Sequence, residues 1–245
     1  MAAGQKKRLC VYCRSPKDPT RDHLPPRSFF PQPRPANLIT VPCCLECHRG
    51  FTKDDEYLRN LLIFVDGNEG HPAAEMLRAK GIRSLNDSNA RGYAKSFFND
   101  VDEGWVRYAN GMVAPGATIT LDDQRIENVL CRMTVGLFWV ENDKYLPPDY
   151  AVEVVGSYDP RYRNWQVQQT IRRLQSEETP VNIGGGVFQY WWSWAEHAPL
   201  GETHRSDWML RFYEGTTFLC RVARPQGSLN PSPLSPFGLS SYLNR

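Results

Sequence analysis

Apolar residues at helical spacing mark two long segments of the chain. Before "DGNEG", such side chains recur every three or four positions and predict a helix; they are Tyr57, Leu58, Leu61, Leu62 and Val65. Thr52 and Asp55 resemble a capping box, so we expect this helix to begin at Thr52. The same spacing predicts a second helix further along, through Ile126, Val129, Leu130, Met133 and Leu137.

Short β-prone runs predict strands elsewhere. "TRDHL" and "NLITVP" flank a proline-rich loop, and together they predict a hairpin that precedes the first helix. "WVRYANGMVA" contains an Asn-Gly hairpin signal. The remaining runs are "YAVEVVGS", "VFQYWWSW" and "WMLRFYEGTTFLCRV", with a helix expected near 162–175. Residues 72–100 carry the apolar faces of two further helices.

These elements predict an α+β fold in four parts. Residues 1–66 form an N-terminal module of two strands and a helix, and residues 67–104 form a helical connector. Residues 105–224 form a C-terminal α+β domain, which we expect to recognise a substrate or a protein partner. The Pro- and Ser-rich residues 225–245 are expected to be a flexible tail.

Composition narrows the class of protein. With 41% hydrophobic residues in 245, the chain can bury a sizeable core. No apolar run approaches the roughly 20 residues that span a bilayer, and "MAAGQKKRLC" lacks the apolar stretch of a signal peptide. Five of the seven cysteines fall in the first fifth of the chain, a pattern typical of metal ligands in a reducing compartment. We therefore expect a cytoplasmic protein without a membrane anchor.

Charge is concentrated at the N-terminal end. Residues 1–50 hold nine lysines and arginines against three acids, a net charge of +6, whereas the remaining residues sum to −4. This imbalance favours a polyanionic partner at that end, although a solvated basic surface would show the same pattern.

Four of the early cysteines form two C-x2-C pairs. Cys10 and Cys13 make the first pair, and Cys44 and Cys47 the second. Tetrahedral Zn²⁺ prefers two such pairs, and the predicted hairpin between them would bring them together. Cys43 also lies at the second pair, but only Cys44 has the two-residue interval to Cys47. We therefore expect a structural zinc ion on Cys10, Cys13, Cys44 and Cys47.

Other chemistry-bearing residues occur in a fixed order around these pairs. Asp22 and His23 follow the first pair, Asn37 precedes the second, and His48 directly follows Cys47. With the cysteines, this order over roughly residues 8–60 resembles the HNH endonucleases, a family with a ββα-metal fold. Prolines stand in the loop where that family usually has a glycine pair.

The resemblance implies a role for each of these residues. His23 would be the general base that activates water for attack on a phosphodiester, and Asn37 would brace the loop that carries the base. Asp22 and His48 would hold a catalytic Mg²⁺, Mn²⁺ or similar ion. Adjacent residues of a regular strand point to opposite faces, so Asp22 and His23 would need an irregular backbone to serve one phosphate.

The predicted substrate is nucleic acid, with DNA favoured over RNA. The basic side chains expected to contact its phosphates are Arg27, Arg34, Arg49 and Lys53. Two alternatives stay open: a zinc-stabilised module that binds nucleic acid without cutting it, and a protein-interaction module. Cys131 and Cys220 lie in apolar segments and are expected in the core.

Overall fold

The computed structural model describes residues 9–17, 19–65, 67–85, 101–107, 111–194 and 206–224. In chain order these residues form the elements β1 (Pro19–Leu24), β2 (Ile39–Cys44), α1 (Leu45–Phe64), α2 (Pro72–Leu85), β3 (Val101–Arg107), β4 (Val113–Ile119), α3 (Asp123–Asn142), β5 (Ala151–Gly156), α4 (Trp165–Glu177), β6 (Val181–Ile183), β7 (Phe188–Trp194), β8 (Ser206–Phe212) and β9 (Thr216–Ala223). Two short 3-10 turns occupy Arg27–Phe29 and Pro160–Arg163.

The strands pair only in the antiparallel sense. β1 pairs with β2, β3 pairs with β4, and a five-stranded sheet has the order β5-β9-β8-β7-β6. Helices pack against these sheets, so the predicted α+β class is confirmed. None of the described helices combines the length and the apolar character that a bilayer span requires.

The five-stranded sheet buries both faces because its side chains alternate. Tyr190 and Trp208 belong to the large core on the side of α3, whereas their neighbours Trp191 and Met209 join a smaller cluster with α4. The apolar stripe predicted from Ile126 onward is the buried face of α3.

The start of α1 differs from the prediction. Instead of beginning at Thr52, the helix begins at Leu45, and Cys44 is its N-cap. The Cys44 Sγ accepts a hydrogen bond from the Cys47 backbone N–H at 3.4 Å, which satisfies an amide of the first turn. The second cysteine pair is therefore the beginning of α1, and Thr52 lies two turns inside the helix.

A continuous set of buried residues links the two ends of the chain. The large core includes Cys10 and Val222, and therefore runs through ranges that the sequence assigns to separate parts. Tyr213 Oη donates a hydrogen bond to the Phe29 carbonyl at 2.9 Å, and Arg14 donates one to the Leu146 carbonyl at 2.5 Å. The loop after β1 and the first cysteine turn are both fastened to C-terminal segments.

Several predictions fall at the edges of the described residues. The first of the two helices expected over 72–100 is α2, but the second lies outside them, as do the hairpin turn at Asn110 and the tail at 225–245. β3 begins at Val101, inside the range predicted as a helical connector.

Candidate functional site

The four predicted cysteines lie together. Their Sγ atoms all lie within 4.8 Å of one another, and Cys13 Sγ is 3.6 Å from Cys44 Sγ. Zn–S bonds of about 2.3 Å in a tetrahedral site separate the sulfurs by about 3.8 Å. The described group of thiols therefore fits a zinc ion, and it contains Cys44 rather than Cys43.

Backbone hydrogen bonds bring the two cysteine pairs together. Val11 N–H donates to the Pro42 carbonyl at 2.9 Å, which ties the first pair to the end of β2. Arg14 N–H donates to the Cys10 carbonyl at 2.9 Å and closes the first turn. Hydrogen bonds with the Cys43 and Cys47 side chains lower the pKa of Cys10, and the same contact with Cys10 raises the pKa of Cys47. One thiolate is therefore favoured in the group, and metal binding would release the protons of the other ligands.

A cavity of about 310 Å³ lies near this group, between β1 and α1. Its lining is polar and is formed by Asp22, His23, Pro26, Arg27, Ser28, His48, Thr52, Asp55, Glu56 and Arg59. His23 lies on β1 and His48 lies in the first turn of α1. The hairpin and the helix therefore place both predicted histidines at the wall of one cavity.

His23 is half-buried at the cavity wall. Burial, followed by the charge of Arg27, lowers the pKa of His23 below its ordinary value. A lowered pKa keeps the imidazole neutral at physiological pH, and a neutral ring nitrogen can accept a proton. The side chain has the protonation state that a general base requires.

His48 is exposed, and Thr20 orients its ring. The Thr20 hydroxyl donates to the Cys43 carbonyl at 2.9 Å, and its oxygen lies 3.4 Å from His48 Nδ1. Because the hydroxyl proton is already directed to the carbonyl, the oxygen acts as an acceptor toward His48. This favours a proton on Nδ1 and leaves the Nε2 lone pair available to a metal ion.

Asp22 lies in a regular strand, contrary to the irregular backbone that we expected. It pairs with Val41 in the register of β1 and β2, and His23 pairs with Thr40. The Asp22 carboxylate is buried, accepts a hydrogen bond from Tyr12 Oη at 2.5 Å, and lies 3.5 Å from Arg132 NH1. Although Asp22 borders the cavity, its carboxylate is already engaged by two other side chains.

The described residues contain no second ready-made cluster of ligands. Among them, the cysteines are the only group of three or more Cys, His, Asp or Glu side chains whose ligand atoms all lie within 4.8 Å. A divalent ion in the cavity would therefore find fewer than three ligands of these residue types in this arrangement, and water would complete its coordination, as is usual for Mg²⁺.

Asn37 is separate from the cavity. Its side-chain amide donates to the Asn182 carbonyl of β6 at 3.0 Å, so it fastens the long loop between β1 and β2 to the five-stranded sheet. The HNH resemblance implied that Asn37 braces the loop that carries His23. The observed hydrogen bond instead connects Asn37 to β6.

The predicted phosphate-binding residues are all exposed, but only Arg27 lines the cavity. Its 3-10 turn follows β1 directly, and Arg34 donates to its carbonyl at 3.3 Å. Arg49 and Lys53 lie on α1, outside the cavity lining.

Sequence reasoning missed most of the cavity wall contributed by α1. Thr52, Asp55, Glu56 and Arg59 follow His48 at helical intervals and line the cavity with it. This pattern is visible in the sequence once the helix is begun at Leu45. Burial raises the pKa of Asp55 to about 6 despite the opposing charge of Arg132.

Comparison with known proteins identifies no relative of this chain. No family model, no curated protein and no solved structure matches the chain. The residues and their geometry therefore carry the functional argument.

Proposed function

We propose that this protein is a metal-dependent endonuclease that hydrolyses phosphodiester bonds in nucleic acid, with DNA as the favoured substrate. The observation that carries the proposal is that His23 and His48, far apart in sequence, line one polar cavity beside Asp22. This combination of an acid-histidine doublet on a strand and a histidine on the next helix is the one that suggested the HNH resemblance.

His23 would act as the general base. Its neutral imidazole takes a proton from a water molecule as the water oxygen attacks phosphorus, and the bond to the leaving oxygen breaks. Arg27, at the same cavity wall, offers a guanidinium to a phosphate oxygen. Arg59 lines the opposite side on α1 and adds a second positive charge.

Two kinds of metal ion belong to this proposal. Cys10, Cys13, Cys44 and Cys47 would hold a structural Zn²⁺, which stabilises the fold around the cavity. Asp22 and His48 would hold Mg²⁺, Mn²⁺ or a similar ion. When bound, such an ion supplies positive charge that offsets the charge growing on the scissile phosphate and the leaving oxygen.

The test is cleavage of plasmid, linear, single-stranded and RNA substrates with and without divalent ions. Wild-type protein should cut at least one substrate when Mg²⁺ or Mn²⁺ is added. His23→Ala should lower the rate by roughly 100-fold to 10,000-fold, because no other described cavity residue offers a neutral imidazole at that position. Zinc content and melting temperature should stay near wild type.

A histidine outside the cavity provides the matched control. His71 precedes α2, where its Nδ1 accepts a hydrogen bond from Ala73 N–H at 3.2 Å. His71→Asn retains an acceptor at this helix start and should leave cleavage unchanged. Equal rates for wild type and His23→Ala, in preparations free of contaminating nuclease, would rule out the proposed mechanism.

One observation favours a second candidate, a zinc-stabilised module that binds nucleic acid without cutting it. The Asp22 carboxylate is occupied by Tyr12 and Arg132, which compete with a metal ion for its oxygens. This candidate predicts salt-sensitive binding of duplex DNA by wild type and no cleavage with any divalent ion. Binding that is absent altogether would instead favour a protein-interaction module.

A further inference from the structure

A buried arginine from α3 reaches the strand that carries His23. Arg132 donates from Nη1 and Nη2 to the two oxygens of Asp55, at 3.2 and 2.5 Å, and its Nη1 also forms an ion pair with Asp22 Oδ2 at 3.5 Å. Its guanidinium also lies over the Phe51 ring, 4.3 Å from the centroid. Only 3% of the Arg132 side chain is exposed. This one side chain therefore connects α3, β1 and α1 beneath the cavity.

α3 holds β1 on both sides of His23. Residues 132 and 136 are one helical turn apart on α3, whereas residues 22 and 24 share one face of β1. Arg132 contacts Asp22, and Gly136 lies so close to Leu24 that an added Cβ would overlap the leucine side chain. His23 lies between these two anchored positions, and its side chain and that of Asp22 both border the cavity.

A direct bond connects Asp22 to the backbone of His23. Asp22 Oδ1 accepts a hydrogen bond from the His23 backbone N–H at 3.0 Å, while Oδ2 faces Arg132 and Tyr12. Burial, together with the charge of Asp22, raises the pKa of Tyr12 and keeps its hydroxyl protonated as a donor. The orientation of the Asp22 carboxylate therefore affects the hydrogen bond that holds the His23 backbone.

Stability alone does not explain an arginine at this position. A buried ion pair often stabilises a protein no better than well-packed apolar residues of similar volume. The neighbouring stripe of α3 is apolar, with Val129 and Met133 buried on either side of Arg132 in helical spacing. A charged residue in this stripe is instead explained by the carboxylates that it meets at the cavity wall.

We propose that Arg132 is a positioning residue that holds Asp22, and through it the backbone of His23, in the arrangement needed for general-base catalysis. This inference rests on the proposed nuclease function for its catalytic consequence. It further implies that the HNH-like segment is an incomplete active site without α3, whose Arg132 follows Asp22 by 110 positions in the sequence.

Arg132→Met tests the inference, and Arg125→Met is its matched control. Arg125 also extends from α3 to α1, pairs with Asp54 at 2.9 Å and lies over the Tyr57 ring at 4.5 Å, but neither of these partners lines the cavity, whereas Asp22 and Asp55 do. Arg132→Met should lower kcat on the order of 100-fold with KM near wild type, since small displacements of a catalytic group have effects of this size. Arg125→Met should keep kcat within about 3-fold of wild type.

Hydrogen exchange gives a readout that does not depend on cleavage. The His23 amide should exchange at least about 10-fold faster in Arg132→Met, because the Asp22 acceptor is no longer held, and at the wild-type rate in Arg125→Met. If wild-type protein shows no cleavage with any divalent ion, the proposed function fails, but this comparison still decides whether Arg132 positions His23.

Two further variants distinguish a loss of positioning from misfolding of Arg132→Met. Arg132→Lys keeps the charge but has no planar fork to contact both carboxylates, so kcat should fall less than in Arg132→Met. Asp22→Asn combined with Arg132→Met should cost no more than the larger single effect, because both changes break the same connection. Wild-type kcat and wild-type His23 exchange in either Arg132 variant, or fully additive effects with Asp22→Asn, would overturn the inference.

Discussion

Two buried ion-pair groups in this molecule have opposite arrangements of charge. Near β1, the guanidinium of Arg132 lies between the carboxylates of Asp22 and Asp55. In the five-stranded sheet, the carboxylate of Asp207 lies between Arg173, at 3.2 Å, and Arg221, at 3.7 Å. The first group thus has one guanidinium between two carboxylates. The second has one carboxylate between two guanidiniums, one of which also pairs with Glu177 at 3.9 Å.

The surroundings of the two groups explain why we expect only the first to affect the proposed catalysis. Asp22 and Asp55 line the cavity that holds both histidines, so carboxylate oxygens border the space where a cation would bind. The Asp207 group joins α4 to the sheet, where Arg173 also donates to Ser193 at 2.9 Å. Burial of an ion pair is thus a poor guide to function, whereas its position beside a cavity is informative.

The largest expected difference between the two regions concerns metal. Cys44→Ser should reduce zinc from about one ion per chain to well below one and should lower the melting temperature strongly. Structural zinc contributes on the order of 10 kcal/mol to the folding of small zinc modules. Hydrogen exchange should rise first in β1, β2 and α1, and later in the five-stranded sheet. Elemental analysis and thermal unfolding measure these effects.

Cys131→Ser is the control for the loss of a thiol. Cys131 Sγ donates to the Val152 carbonyl at 3.6 Å, and a serine hydroxyl can make the same bond. Zinc content should not change in this variant. Full zinc loading of Cys44→Ser, or equal zinc loss in both variants, would contradict a four-cysteine site and remove the metal-dependent contrast between the regions.

The sequence predicted the elements better than it predicted the cavity. The hairpin and the two cysteine pairs were predictable because periodicity and ligand spacing are local signals. The start of α1 was not, since cysteine is not a preferred N-cap and the cap bond depends on the folded second pair. The seven-residue error hid the relation of His48 to Thr52 and Asp55 on one helix face.

Contacts between distant segments could not be predicted at all. Arg132 contacts Asp22 because α3 packs across β1, and a single sequence gives no register for that packing. Asn37 shows the same difficulty, because its partner in β6 lies 145 positions away. In both cases the residue type was visible in the sequence, but the partner was not.

A pair of carboxylate substitutions should separate the two ion-pair groups. Asp207→Asn removes the carboxylate that lies between two half-buried guanidiniums and should lower the free energy of unfolding by about 1–3 kcal/mol, with cleavage per folded molecule unchanged. Asp22→Asn leaves Arg132 paired with Asp55, so the loss of stability should be smaller while cleavage falls at least about 100-fold. Urea unfolding and cleavage rates corrected for the folded fraction measure both. Equal loss of activity in the two variants would show that the cavity has no special dependence on its ion-pair group.

The smallest expected effect is the pH dependence that Asp55 contributes. Burial raises its pKa from 3.8 in the unfolded chain to about 6. Between these values the folded protein binds more protons than the unfolded chain, so stability falls as pH rises through this window. Relative to Asp55→Asn, which cannot titrate, wild type should lose up to about 3 kcal/mol between pH 4 and about pH 7.

Asp159 provides a control with the opposite sign. Hydrogen bonding to Arg161 lowers the pKa of Asp159, so its stabilising contribution is present above the unfolded pKa and is lost as pH falls through the folded value. Wild type should therefore gain stability relative to Asp159→Asn as pH rises, whereas it loses stability relative to Asp55→Asn. Urea unfolding at a series of pH values without added divalent ions measures both differences. A wild-type minus Asp55→Asn difference that is flat with pH would mean that Arg132 fully compensates the buried carboxylate. The group at the cavity would then be electrostatically balanced, like an ordinary structural ion pair, and the contrast with the Asp207 group would rest on position alone.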